Sequence, residues 1–129
     1  MGLFEELKEL GVDVEEGCAR VMDDQPLYET MLGMFVDRVD ANPIQTTDFA
    51  GDCPDSLIGR VHMLKGLTGN LAMTPLFAGY VRMLELLRGG RAEEAGEIYE
   101  ELRPVQTAIA ACIRRHRQEQ QPAAPQTDL

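Results

Sequence analysis

The stretch Leu57-Ile58-Gly59-Arg60-Val61-His62-Met63-Leu64-Lys65-Gly66-Leu67-Thr68-Gly69-Asn70-Leu71, followed by Thr74-Pro75, decides the fold. Leu57, Val61, Leu64, Thr68 and Leu71 recur at three- and four-residue steps, the spacing of one buried helical seam. Thr74 then reads as an N-cap and Pro75 as the first residue of the next helix, because proline lacks only an N–H that is unpaired there anyway. In that helix Leu76, Tyr80, Met83, Leu84 and Leu87 face inward until Gly89-Gly90 ends it. A last helix starts near Arg91, with Ala95, Ile98, Leu102, Val105, Ile109 and Cys112 as its stripe. Pro104 inside it is expected to kink it. Towards the N-terminus, Gly51-Asp52-Cys53-Pro54 restarts the chain, with Pro54 in the first turn of the site helix. Residues 43–53 are less regular, and Ile44 to Ala50 reads as a short helix or a turn. Before Asn42-Pro43, the residues Tyr28, Met31, Leu32, Phe35 and Val39 mark a long amphipathic helix begun at Asp24 and Pro26. Asp13 caps a shorter helix, with Glu16 at the capping-box position and Val14, Cys18 and Val21 as its stripe. Leu3 to Leu10 forms a first piece, closed by Gly11.

No alternating pattern longer than four or five residues suggests a strand. The expected fold is all-α: an antiparallel up-and-down four-helix bundle with short additional N-terminal helices. Residues 1–118 are expected to form one domain, and residues 119–129, rich in Gln, Pro and Ala, a disordered tail. A chain of 129 residues is long enough for one core without disulfides or metal. Three scattered cysteines without a CxxC read as reduced thiols, and the N-terminus turns acidic without the flank of a signal peptide, so a cytoplasmic location is expected. No apolar run is long enough for a membrane span. The net charge of −10 argues against nucleic acid or an anionic membrane as partner. That charge is uneven: residues 1–55 hold 14 acidic against 3 basic side chains, and residues 56–129 hold 8 against 9. Solvated helix faces account for this, as would faces that meet different partners.

A scaffold of helices does not declare a function, so function must come from a site. At about 100° per residue, His62 points well over 90° away from the seam and stands on the exposed face. Lys65 and Gly66 are its i+3 and i+4 neighbours; Ile58 and Gly59 precede it by one turn, and Gly69 follows Gly66. Three glycines inside one helix cost about 2–3 kcal/mol relative to alanine, a sizeable part of a marginal folding free energy. A lone exposed histidine is ordinarily just solvated, and a glycine can mark only a packing contact. The combination of exposed imidazole, neighbouring lysine and bracketing glycines points further. It clears space for a partner's backbone or a phosphorylated side chain, and it supplies a nucleophile and a cation for phosphoryl oxygens.

His62-Met63-Leu64-Lys65-Gly66, Gly69-Asn70-Leu71, Leu76 and Leu84-Glu85 together resemble the histidine-containing phosphotransfer (HPt) domain of bacterial phosphorelays. Residues 11–17 and Leu27 to Phe35 are similar to the usual lead-in, so the resemblance spans roughly residues 11–115. It implies a four-helix bundle whose exposed histidine exchanges a phosphoryl group with the aspartate of a response-regulator receiver domain. By carry-over, His62 is the phospho-acceptor, Lys65 steadies the phosphoryl group and Gly66 leaves room for the receiver. Ile58, Gly59, Gly69 and Arg82 complete the expected docking face. The implied partners are a receiver domain or a hybrid sensor histidine kinase, with no cofactor, no metal and a monomeric state. Two features depart from the family pattern: Ala72 stands where glycine is usual, and residues 42–53 are shorter and richer in proline.

Arg82 either reaches toward the phosphoryl position or forms a surface salt bridge. Arg114-Arg115-His116-Arg117 complements the C-terminal end of a helix dipole and reads as a solvated structural group. Glu93-Glu94, Glu97 and Glu100-Glu101 lack His or Cys at metal-ligand spacing. No phosphate-binding loop or second acid–base pair suggests an enzyme, and Met63 follows His62 where self-phosphorylating histidine helices usually carry an acidic residue. The alternative to phosphotransfer is a helical adaptor that binds a receiver or kinase domain without transfer.

Overall fold

Four short connections close helices with residues in the left-handed region: Gly11, Met22 with Asp23, Ala72 and Gly90. The computed structural model describes residues 2–50 and 55–120. Helix α1 spans Leu3–Glu9, α2 Val14–Ala19, α3 Gln25–Ala41, α4 Asp55–Asn70, α5 Thr74–Arg88 and α6 Ala92–Gln120, with a 3₁₀ turn at Thr46–Phe49. Among the described residues there is no strand. After α1, Gly11 takes φ +95°, and the Val12 N–H returns to the Leu7 carbonyl at 3.0 Å. After α5, Gly90 takes φ +76°, and the Arg91 N–H returns to the Leu86 carbonyl at 2.8 Å. After α4 the same turn is built on Ala72, with φ +57° and the Met73 N–H on the Thr68 carbonyl at 2.9 Å. Each turn satisfies carbonyls that a helix end leaves unpaired. An alanine Cβ is crowded in this conformation, at a cost of roughly 1–2 kcal/mol.

The helix starts follow the sequence with two corrections. Asp13 and Asp24 cap α2 and α3, accepting from the Glu16 N–H at 3.2 Å and the Leu27 N–H at 3.1 Å. The Glu16 carboxylate, however, does not close a capping box; it takes the Arg20 Nε at 2.9 Å. Thr74 is not the N-cap of α5. Met73 is, without a side-chain bond, and Thr74 and Pro75 are the first two helical residues. The reason is the Ala72 turn, which draws Met73 against the end of α4 and moves the cap one residue earlier. Helix α6 runs unbroken through Pro104 and on to Gln120, two residues past the expected domain end; residues 121–129 lie outside the described residues, as do 51–54 with Cys53 and Pro54.

Helix α4 packs on α5, α5 on α6, α6 on α3 and α3 on α4. The expected inward residues of α5 are all buried, together with Leu86, and so are Leu57, Val61, Leu64, Thr68 and Leu71 of the α4 seam. Thr68 hides its hydroxyl by donating to the Leu64 carbonyl at 2.8 Å. The N-terminal segment clamps the α4–α5 turn. The buried Tyr28 hydroxyl donates to the Leu71 carbonyl at 2.8 Å, and the Asp13 N–H donates to the Ala72 carbonyl at 2.9 Å. Phe4 meets the Tyr28 ring edge-on at 5.7 Å. Residues 42–50 are strapped from both sides: Tyr99 on α6 donates to the Ile44 carbonyl at 2.8 Å, and Arg60 on α4 donates to the Pro43 carbonyl at 3.1 Å.

The cations near the end of α6 are not merely solvated. Arg114 pairs with Asp40, Arg115 with Glu6, and Arg117 with Asp37 at 3.0 Å, while His116 Nε2 lies 3.3 Å from Glu29. The acidic N-terminal half thus folds onto the basic end of the last helix. Each exposed pair contributes at most about 1 kcal/mol, so these contacts set the docking of α6 more than its stability.

Gly17 faces the Tyr28 ring so closely that an added Cβ would sit 2.5 Å from Cε1. Gly17→Ala should therefore destabilise the chain by about 1–3 kcal/mol in urea melts, although alanine is the better helix former. An unchanged midpoint would mean that Tyr28 does not pack there. Burial raises the pKa of Tyr28, Tyr80 and Tyr99 above the ordinary tyrosine value of 10.0. Folding favours the neutral phenol, so this contribution is whole below about pH 10 and is lost as pH rises beyond it, by up to about 1.4 kcal/mol per pH unit for each tyrosine. Urea midpoints measured from pH 8 to pH 11.5 should hold steady and then fall; a flat profile would contradict the burial of these hydroxyls.

Candidate functional site

Helix α4 presents His62 at mid-length on its outer face, with the seam residues Val61 and Leu64 buried beneath. The helix fixes the His62 backbone at this point, and its exposed imidazole stands out from the surface. Among the described residues, the His62 side chain makes no hydrogen bond or ion pair, and neither does the side chain of the half-buried Lys65 one turn on, whose carbonyl accepts from the Thr68 hydroxyl at 3.2 Å. An added Cβ at Gly59 or Gly66 would meet nothing within 4 Å. These two glycines flank His62 at i−3 and i+4, and their missing side chains leave open space on both sides of the ring.

The other expected site residues divide. Ile58 is half-buried and packs against the core. Gly69 is a packing position: a Cβ there would lie 2.9 Å from Cε1 of Phe77 on α5. Its carbonyl also accepts from Arg20 of α2, which ties the end of α4 to the N-terminal segment. Arg82 engages Glu85 on its own helix at 3.5 Å, the surface salt bridge, and is not brought to His62. Phe77 was legible only indirectly. It falls outside the inward stripe of α5, and an aromatic residue off the stripe signals an exposed ring.

His62 and Lys65 share one side of α4. Residues three apart stand on neighbouring turns, so the ammonium is placed to meet oxygens carried on the imidazole. The arrangement offers a nitrogen nucleophile and a mobile cation on one side of α4. Among the described residues there is no group of three His, Cys, Asp or Glu side chains that would hold a metal ion, and no helix long and apolar enough to cross a membrane. Comparisons with protein-family models, with curated proteins and with solved structures give no match to this chain.

Gly66 and Gly17 make a matched pair. Both are helical, but only Gly17 has a neighbour in the way. Gly66→Ala should raise stability by about 1 kcal/mol, and Gly66→Gln by slightly less. Thermal melts check both, and a loss of stability would mean that Gly66 serves backbone packing.

Proposed function

We propose that this chain is a phosphorelay intermediate of the HPt type, carrying a phosphoryl group on His62. In this reading α3 to α6 are an antiparallel up-and-down four-helix bundle, and α1 and α2 are its short additional helices. The observation that carries it is the exposed His62 at mid-helix, flanked by two glycines with open space above them and by a lysine, with no side-chain partner for either among the described residues. The closed circuit of packing from α3 through α4, α5 and α6 supports the bundle, as does the resemblance around His62-Met63-Leu64-Lys65-Gly66. Ala72 stands at φ +57°, where the family's usual glycine would be at ease.

The chemistry is a reversible transfer between a receiver aspartate and the imidazole. A neutral ring nitrogen of His62 attacks the phosphorus of the aspartyl phosphate. An N–P bond forms as the acyl O–P bond breaks, and the electron pair leaves with the aspartate carboxylate. The proton on the other ring nitrogen is then shared with water. Lys65 stabilises charge on the phosphoryl oxygens in passage, and Gly59 and Gly66 let the receiver approach. The partners are a receiver domain or a hybrid sensor histidine kinase, and the chain is a carrier with no kinase activity of its own. A cytoplasmic, monomeric protein fits this role.

The test is incubation with a receiver domain charged by acetyl phosphate, followed by assay for acid-labile phosphate. His62→Gln should fold normally and accept none, while His116→Gln transfers like the wild type. Lys65→Ala should slow transfer roughly ten- to hundredfold, the worth of one charge-assisted hydrogen bond. Gly66→Gln should slow it more than Gly66→Ala, against the order of helix crowding. Binding of the receiver with no phosphate on the wild-type chain would favour an adaptor instead.

A further inference from the structure

We infer that Phe77 is the apolar anchor of the surface on which the phosphoryl-bearing receiver domain docks, an inference that rests on the carrier reading above. Gly69 follows His62 by seven residues, two helical turns, so it lies within about 20° of the same face and about 10 Å along the axis. Gly66 lies between them with open space above it. A cleared track therefore leads from His62 along α4 and ends at the Phe77 ring, which occupies the space a Gly69 side chain would fill. Phe77 is 37% exposed, so apolar ring surface remains available to a partner at the end of this track.

The other exposed large apolar residues stand elsewhere. Met22 lies between α2 and α3; Leu27 and Met34 lie on α3, and Met34 lines a groove with His116 and Arg117 at the far end of α6. Phe77 is seated directly over Gly69 of α4, two turns from His62. Two features choose the occupant. Lys65 has no ion-pair partner among the described residues, and its positive charge beside the track complements a partner whose acyl phosphate sits among carboxylates. A second copy docked face to face would present the same lysine, like charge toward like, and so is disfavoured on this face. Aromatic side chains are enriched in the cores of protein interfaces, and one that becomes desolvated on docking carries a large share of the binding energy.

The experiment measures single-turnover transfer from acetyl-phosphate-charged receiver domains of the same genome, as a function of receiver concentration, taking the receiver that transfers fastest to the full wild-type chain. Phe77→Ala should raise the half-saturating receiver concentration roughly tenfold or more and leave the saturating rate unchanged. Phe77→Leu, which keeps apolar bulk and guards against misfolding, should show a smaller rise. Met34→Ala, on the other exposed patch, should change nothing. Phosphoramidate, a small donor that needs no docking surface, should label His62 equally in every variant. Wild-type half-saturation in both Phe77 variants would overturn the anchor and leave the carrier reading intact. A wild-type chain labelled by neither donor would overturn the carrier reading, and the anchor with it.

Discussion

The hydrogen bond from the Tyr28 hydroxyl to the Leu71 carbonyl holds the site helix in register with the rest of the molecule. It joins α3 to the turn that ends α4, and both groups are buried, so neither can exchange its partner for water. Losing one side would leave a buried polar atom unsatisfied, a cost of about 1–3 kcal/mol. Burial keeps the Tyr28 hydroxyl protonated, and so a donor, beyond the pH at which an ordinary tyrosine ionises. Gly17 and Phe4 exist in relation to this ring, one by leaving room for it and the other by packing on its edge. Asp13 and Arg20 then bind the carbonyls of Ala72 and Gly69, so the N-terminal helices act together as a clamp on the end of α4.

The clamp separates two uses of glycine on short helices. Gly17 and Gly69 are absent side chains with a neighbour filling the gap; Gly59 and Gly66 are absent side chains with nothing there. Only the second kind weakens a helix without improving its packing. That cost falls on the single face that displays His62. Under the proposed carrier role, that local loss of helix propensity serves the approach of a partner.

The helices and their buried seams were legible because periodicity is local. Leu57, Val61, Leu64 and Thr68 announce a buried face within a dozen residues, and His62 opposite them follows from helix geometry alone. What was not legible depends on residues far apart. The Arg114 to Arg117 run reads as a solvated helix end until Asp40, Glu6, Glu29 and Asp37, all from the first third of the chain, fold against it. Thr74 has the hydroxyl of an N-cap, yet the left-handed Ala72 shifts the cap to Met73, and no rule of composition favours alanine there. Gly69 looks like part of the cleared track, and only the position of Phe77 on the next helix shows that its space is taken.

The central claim is that His62 carries the phosphoryl group. The most direct measurement is proton–phosphorus correlation spectroscopy on the chain after exposure to a charged receiver domain. The account predicts one phosphorus resonance coupled to the imidazole protons of His62 and missing from His62→Gln. A phosphorus coupled to His116, or a receiver that binds the chain and leaves no phosphorus on it, would contradict the account.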